Sequence, residues 1–174
     1  MKFNSEQSGR SMVEMLGVLA IIGVLSVAGI AGYSKAMAKF KVSKAMDQVS
    51  MLVANIRTAF SGQVNYAGLD NTMVSQLGLA GKDIEVSTGV LRSPYGSITV
   101  AASGTSSDTF TVAFADVPNN ACVSIASSDW GYGSGGLQSL KSTADTTGKT
   151  DVIPLSEIGT FCGTGNTTLT WTYR

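Results

Sequence analysis

The sequence contains no histidine, and its only two cysteines, Cys122 and Cys162, lie 40 positions apart. These shortages remove the most common general base, the most common metal ligand and every short Cys-x-x-Cys spacing. A pair of nucleophile and base would have to use a lysine or a carboxylate, and no spacing in the sequence indicates such a pair. We therefore expect no catalytic residues, no metal site and no cofactor.

Charged residues are also scarce, at 14% of the 174 residues, and the 12 basic side chains balance the 12 acidic ones. A chain with this composition lacks the electrostatic footprint of a protein that binds nucleic acid or an anionic lipid surface. We expect no direct contact with nucleic acid. Since the length allows one globular domain with an appendage, a single compact head is the simplest expectation.

Proline is rare and first occurs at Pro94, so nothing interrupts the long apolar run near the N-terminus. The eighteen residues 15–32 contain one polar side chain, that of Ser26, and cover about 27 Å as a helix, close to the thickness of a bilayer core. Beyond them, apolar residues recur at helical spacing, a pattern typical of a one-sided amphipathic helix: Val42, Met46, Val49, Val53, Ile56 and Phe60. The pattern predicts one N-terminal helix over residues 10–62, in which residues 12–32 span a membrane.

A short polar stretch, residues 1–9, precedes this helix and ends in Gly9. An ordinary signal peptidase would cut on the far side of the apolar run. Inside the apolar run, Glu14 would cost about 3 kcal/mol if its charge were buried in lipid without a partner. Cleavage after Gly9 would place a new α-amino group on Arg10, four residues before Glu14, as a possible partner in the same or a neighbouring chain. The alternative is that Glu14 lies at the membrane surface in an ordinary anchor.

The stretch SGRSMVEMLGVLAIIGVLSVAGIAGYSKA resembles the cleavage and methylation motif of type IV prepilins. The resemblance implies that a membrane-embedded prepilin peptidase cuts after Gly9 and methylates the new amine of Arg10. It also implies that Glu14 pairs with the N-terminus of an adjacent subunit during assembly. Residues 1–9 would then be a leader peptide, and the precursor would be held in the bacterial inner membrane.

The remaining residues, 63–174, form the predicted head. Residues 65–84 indicate a short helix that begins after Asp70 or Asn71 and closes at Gly78 or Gly81. Two β-like runs at 97–102 and 108–114 predict an antiparallel hairpin, and the alternation over 168–174 predicts a half-buried final strand. Residues 122–128 fit either a strand or a short helix. The expected fold class is α+β, with the long helix packed on an antiparallel sheet.

Three segments of the head, residues 65–84, 93–102 and 108–127, resemble the type IVb pilins, particularly the major pilins of plasmid-encoded thin pili. That resemblance implies the pilin fold and a subunit that polymerises with other pilins into an extracellular pilus, or fimbrium. The implied partners are prepilin peptidase, a pilus assembly platform, minor pilins and, before assembly, the inner membrane. The implied uses are attachment, aggregation or DNA transfer.

The two cysteines fit this picture, since an exported head matures in an oxidising compartment where a cysteine pair is normally bonded. A Cys122–Cys162 bond would close a loop of about 40 residues and stabilise the fold by about 4 kcal/mol. Region 122–162 is rich in Gly, Ser and Thr, and we expect Trp130 and Tyr132 to be exposed there as candidates for surface contacts. The alternative for both aromatic side chains is ordinary packing beneath a loop.

Two other functions remain open at this point. A minor pilin or a type II secretion pseudopilin would share the N-terminal motif but cap a filament or build a short periplasmic one. A membrane-anchored periplasmic binding module, from a different class, would never polymerise and would keep its leader.

Overall fold

The structure, a computed structural model, describes residues 7–87, 89–133 and 136–174, with side chains from residue 12 onward. The described elements occur in the order α1 Gln7–Ala59, α2 Asn71–Gln76, β1 Glu85–Ser87, β2 Val90–Arg92, β3 Ser97–Ser103, β4 Thr109–Val117, α3 Asn119–Ala126, β5 Leu137–Lys141, α4 Leu155–Cys162 and β6 Thr167–Tyr173. The predicted α+β fold, a long N-terminal helix packed on an antiparallel sheet, is confirmed.

Two compact units make up the chain, Met1–Phe40 and Lys41–Arg174, and helix α1 contributes residues to both. In the first unit, every described side chain from residue 12 onward is exposed. The helix from Met12 to Ala59 contains a window long and apolar enough to cross a membrane, and 0% of that window is buried within the chain. The first unit therefore has no hydrophobic core of its own in the part of it that is described.

The second unit is built on a six-stranded sheet with the order β1-β2-β3-β4-β6-β5, in which all neighbouring strands are antiparallel. The final strand β6 lies between β4 and β5, so the C-terminal residues are inside the sheet and not at its edge. Alternate side chains of β4 and β6 point to one buried face, and the intervening residues, mostly Thr and Ala, lie on the other, half-exposed face. This alternation is the one that the sequence predicts for residues 168–174.

One hydrophobic core joins the sheet to the second half of α1. The helix residues in this core recur at intervals of three or four, which places them on one side of the helix: Ala45, Val49, Leu52, Val53 and Ile56. The largest fully buried side chain is Trp171 of β6, which contacts the ring of Phe114 at 5.6 Å between centroids. The predicted apolar stripe of α1 is therefore confirmed as the side that packs on the head.

Side-chain amides fix the segment between α1 and the sheet. Gln48 donates to the carbonyl of Asp83 at 2.6 Å, and Asn55 donates to that of Leu79 at 2.8 Å. Asn71, at the start of α2, donates to a β3 carbonyl at 2.9 Å and accepts from a β3 amide at 2.7 Å. The first two bonds satisfy carbonyl groups of the connecting segment, and the other two satisfy backbone groups of strand β3.

Several predicted elements match the structure, and others differ. Asp70 caps α2 by accepting from the amide of Met73 at 2.7 Å, and the predicted hairpin is β3–β4. The open choice for residues 122–128 is settled as a helix, α3. Helix α1 already includes Gln7 and ends at Ala59, a few residues before the predicted end at 62, because the chain turns at residues 60–62. Strands β1, β2 and β5 and helix α4 are not among the predicted elements.

Candidate functional site

The residues of the predicted cleavage motif lie in the first turns of helix α1. Gly9 and Arg10 have helical backbone, while residues 1–6 of the predicted leader and the side chain of Arg10 lie outside the described residues. Glu14 is exposed on the helix. Four residues of helix correspond to about 6 Å of rise, so a free amine on Arg10 and the carboxylate of Glu14 would be one turn apart.

Glu14 is surrounded along the helix by exposed apolar side chains. Ten of them between residues 12 and 25 are at least half exposed: Met12, Val13, Met15, Leu16, Val18, Leu19, Ile21, Ile22, Val24 and Leu25. The hydroxyl of Ser26 donates a hydrogen bond to the carbonyl of Ile22 at 2.8 Å, so this polar group has its partner within the same helix. Glu14 is thus the one ionisable side chain within the described residues 12–32, and no other group of that segment can neutralise it.

The disulfide of the head joins Cys122 of α3 to Cys162 of α4, with the Cα atoms 5.9 Å apart and both side chains buried. Further polar bonds close the same region: Ser142 donates to the carbonyl of Phe161, and Asn119 donates to that of Gly163. The disulfide and these hydrogen bonds therefore fasten α4 and the loop before it to the rest of the head.

A small charged cluster stabilises the surface of this region. The ammonium of Lys149 lies 2.8 Å from a carboxylate oxygen of Glu157 and 3.6 Å from one of Asp145. The hydrogen bond to Glu157 raises the pKa of Lys149, and the hydroxyl of Thr147 chiefly lowers the pKa of Asp145. Exposed pairs of this kind contribute little stability individually. Their role here is to hold the loop before α4 in one conformation.

Trp130 and Tyr132 are half-buried, so the expectation that both are exposed is wrong. The indole of Trp130 packs edge-on against Trp171, with centroids 5.1 Å apart, and donates to the carbonyl of Ile125 at 2.8 Å. Burial, with the charges of Asp129 and Asp151, raises the pKa of Tyr132 to about 12. Both side chains pack against the hydrophobic core, and a surface contact through either of them stays a prediction.

Arg57, on the last turns of α1, contacts the C-terminal end of the chain. Its guanidinium donates to the carbonyl of Arg174 at 2.8 and 3.2 Å and lies 5.1 Å from the centroid of the Tyr173 ring. Burial raises the pKa of Tyr173 to about 12, although the charge of Arg57 opposes that shift. A cleft of about 260 Å³ lies beside these residues and is also lined by Asp129 and Trp130.

The described part of the head contains clefts but no cluster of metal-binding side chains. No group of three or more His, Cys, Asp or Glu side chains that could hold a metal ion occurs within residues 7–87, 89–133 and 136–174. The cleft beside Arg57 and a second one of about 210 Å³ near Tyr66 are shallow, and neither brings a nucleophile to a base. The main features of the described chain are the exposed apolar surface of helix α1 over residues 12–30 and a head with a disulfide bond.

Sequence reasoning did not identify Gln48, Asn55 and Arg57 as residues that fix the head. The role of Gln48 could have been predicted, because it is a polar residue on the buried side of an amphipathic helix, and such a residue needs a hydrogen-bond partner. The role of Arg57 could not have been predicted from its neighbours in the sequence, because Arg174, which accepts its hydrogen bonds, lies 117 positions away.

Comparison with known proteins gives a family match and matches to seven chains in solved structures, two of which are described here. The PilS N terminal family model matches residues 39–174. The crystal structure of type IV b pilin from Salmonella typhi matches with a TM-score of 0.59 and 23% identity, covering 76% of this chain and 99% of that one. The NMR structure of type IVb pilin (PilS) from the same organism matches with a TM-score of 0.49 and 25% identity, covering 76% and 95%. No curated protein matches the chain.

Proposed function

The chain belongs to the PilS family of type IVb pilins, and from that membership we propose that it is the structural subunit of a type IVb-like pilus, without enzymatic activity of its own. Its activity is self-assembly into an extracellular filament. The family match begins at residue 39, so the roles of the preceding residues rest on the sequence motif and on the exposed surface of the helix.

The observation that carries this proposal is the exposed apolar surface of residues 12–30 on a chain whose head is well packed. Apolar surface in water costs about 25 cal/mol for each Å², and a patch of this size marks a site that another surface covers. Lipid can cover it in the precursor, and the same helix of other subunits can cover it in a filament. No rearrangement of the head is needed for this exchange.

The proposed mechanism has four steps. Prepilin peptidase cleaves after Gly9 and methylates the new amine of Arg10, and residues 12–32 hold the mature subunit in the inner membrane. Glu14 then pairs with the N-terminus of a neighbouring subunit as the subunit docks on the assembly platform. Finally, the helix is buried in the core of the filament, together with other pilin subunits and the minor pilins.

Glu14 supports the docking step because a carboxylate in apolar surroundings is stable only with a cationic partner. A subunit that docks in the correct register brings an amine to that carboxylate, whereas a subunit in another register leaves both charges unpaired. The pairing would therefore select the register as well as contribute to stability.

In the filament, region 122–162 would lie at the outer surface, where the disulfide resists unfolding outside the cell. Trp130 and Tyr132 would then act mainly by supporting this surface from below. Attachment, aggregation and DNA transfer are the uses compatible with such a filament.

Two measurements test the proposal. The mass of the chain isolated from cells should fall by the mass of residues 1–9, less the mass of any methyl group added to Arg10, and only when prepilin peptidase is present. Electron microscopy of sheared filaments, with an antibody against the head, should show label along their whole length. Label confined to filament tips would indicate a minor pilin, short periplasmic filaments a pseudopilin, and an uncleaved chain a simple membrane-anchored module.

A further inference from the structure

The charge balance of the whole chain hides a local asymmetry. No acidic residue occurs between Glu14 and Asp47, whereas Lys35 and Lys39 lie in that interval and two further lysines follow at 41 and 44. The nearest acidic residue in the sequence is eight positions beyond Lys39. The segment directly after the apolar run is therefore strongly basic in an otherwise neutral protein.

Residues 33–40, which we call the anchor segment, carry two different stripes on helix α1. Tyr33, Met37 and Phe40 are spaced by four and three residues on one side and are 67%, 36% and 60% exposed. Lys35 and Lys39, four residues apart on another side, are both exposed. Neither lysine forms an ion pair with any residue in the part of the chain that the structure describes.

The position of the anchor segment matches the boundary of a bilayer. Residues 15–32 cover about 27 Å of helix, close to the hydrocarbon thickness, and residues 33–40 extend about 12 Å beyond them, comparable to a headgroup layer. Aromatic side chains are enriched at this depth in membrane proteins, where their rings contact both apolar and polar groups. Lysine stems extend along the apolar layer and place the ammonium among the headgroups.

We propose that the anchor segment binds the headgroups of anionic phospholipids through Lys35 and Lys39, with Tyr33 and Phe40 in the interface, and so sets the depth at which the precursor is held. This inference rests on the proposed retention of the precursor in the inner membrane. The occupant is the phosphate-bearing surface of the membrane, because an apolar helix that continues directly into exposed aromatic and basic side chains matches that surface in both polarity and charge.

The side of the membrane strengthens this assignment. A head with a disulfide matures on the oxidising, exported side, so the anchor segment faces the exported leaflet when residues 1–9 remain inside. Basic residues near a span normally favour the cytoplasmic side, and here four lysines at 35–44 outnumber Lys2 and Arg10 on the leader side. The lysines therefore lie on the exported side of the membrane, where basic residues are normally rare. Anionic headgroups of the exported leaflet are the negative charges that these lysines can contact directly.

The test compares two lipids around the same inserted protein. The full chain is reconstituted into phosphatidylcholine vesicles that contain trace spin-labelled phosphatidylglycerol or spin-labelled phosphatidylcholine. The motionally restricted part of the electron spin resonance spectrum then gives the relative association of the two lipids. One basic side chain near an anionic surface is worth about fivefold in binding. We expect a five- to tenfold preference for phosphatidylglycerol at low salt, which falls below twofold in 0.5 M NaCl.

Matched variants assign the preference to the anchor segment. Lys35→Gln with Lys39→Gln should reduce it below twofold, and Lys35→Arg with Lys39→Arg should retain it. The control, Lys82→Gln with Arg92→Gln, removes the same charge from exposed positions on the head and should change nothing.

Three outcomes would overturn the inference, and they differ in their meaning for the proposed function. Equal association of both lipids with wild-type protein that floats with the vesicles would reject headgroup binding but leave membrane retention intact. A preference that survives the Lys35→Gln, Lys39→Gln change would place it elsewhere in the chain. Failure of the chain to float with any vesicles would reject membrane retention as well.

Discussion

Arg57 and Arg174, 117 positions apart in the sequence, are joined by two hydrogen bonds from the guanidinium of Arg57 to the carbonyl oxygen of Arg174. The same guanidinium lies over the ring of Tyr173 and against Gly136. Hydrogen bonds from a charged fork of this kind are stronger than those between neutral groups. These contacts fix Tyr173 and Arg174 against α1, and the guanidinium of Arg57 leaves little space for a larger side chain at position 136.

The space around Arg57 makes Gly136 sensitive to substitution. Gly136 has a φ of +81°, and a Cβ atom there would lie 1.9 Å from a guanidinium nitrogen of Arg57. Gly136→Ala should lower the free energy of unfolding by about 2 to 3 kcal/mol, from backbone strain and from displacement of Arg57. Thermal unfolding of the full chain in detergent measures this change.

Gly133 provides the matched control. Its φ is +67°, and a Cβ atom there would meet open space, so Gly133→Ala should cost only the backbone strain of about 1 kcal/mol. In an Arg57→Ala background the two glycine substitutions should become equal. Equal costs in the wild-type background would contradict the packing of Arg57 against Gly136.

Loss of the disulfide should destabilise the head. Cys122→Ser removes the bond that closes a loop of 40 residues and should lower the free energy of unfolding by about 4 kcal/mol. The steady-state level of this variant in the periplasm, measured by immunoblotting beside wild type, should fall. An undiminished level would mean that the hydrogen bonds around α4 suffice without the disulfide.

Glu14 should be needed for assembly and not for folding. Glu14→Ala and Glu14→Val remove the proposed partner of the N-terminal amine and should yield processed, folded subunits that form few filaments beside wild type. Ser26→Ala is the control in the same apolar helix, since the hydroxyl of Ser26 bonds only to its own helix. Normal filament yield with Glu14→Val would reject the pairing step.

Tyr132 and Tyr173 should make the head sensitive to alkali. Their pKa values are raised from 10.0 to about 12, chiefly by burial. Between pH 10 and 12 the folded chain keeps phenolic protons that the unfolded chain releases, so the contribution of these two tyrosines to the free energy of unfolding should be constant below pH 10 and fall across that window. Chemical denaturation at stepped pH measures this decline.

Tyr132→Phe separates the contribution of Tyr132 from that of Tyr173. The hydroxyl of Tyr132 is buried and has no hydrogen-bond partner within the described part of the chain. Its removal should therefore cost little at pH 7 and should make the decline above pH 10 shallower. An unchanged slope would assign the alkaline sensitivity to other groups.

Local sequence patterns predicted those parts of the fold that a single element defines by itself. The stripe from Val42 to Phe60 specified which side of α1 packs on the head, and the alternation ending at Tyr173 specified the last strand. In contrast, β1 and β2 are three-residue strands, too short for a periodicity to be read. Helix α4 contains Gly159, which lowers helix propensity and concealed the element.

The part of the candidate site that consists of residues close together in the sequence could be predicted from the sequence. Gly9, Arg10 and Glu14 were selected by their spacing before an apolar run, and their roles remain predictions. The surroundings of Trp130 were misjudged because Gly and Ser neighbours indicated an exposed loop, whereas its contact with Trp171 depends on residues 41 positions apart. Contacts of that length are decided by the assembled sheet and leave no mark on the local sequence.

The place of β6 between β4 and β5 has a consequence for how the subunit is made. Until the seven-residue strand β6 has been synthesised, both neighbouring strands have an open edge, and open edges invite pairing with the wrong chain. The sheet cannot close strand by strand during synthesis, because β6 lies between two strands that precede it in the sequence. A chain that lacks β6 would thus keep an incomplete sheet, and proteases should degrade it faster than a chain that contains the strand.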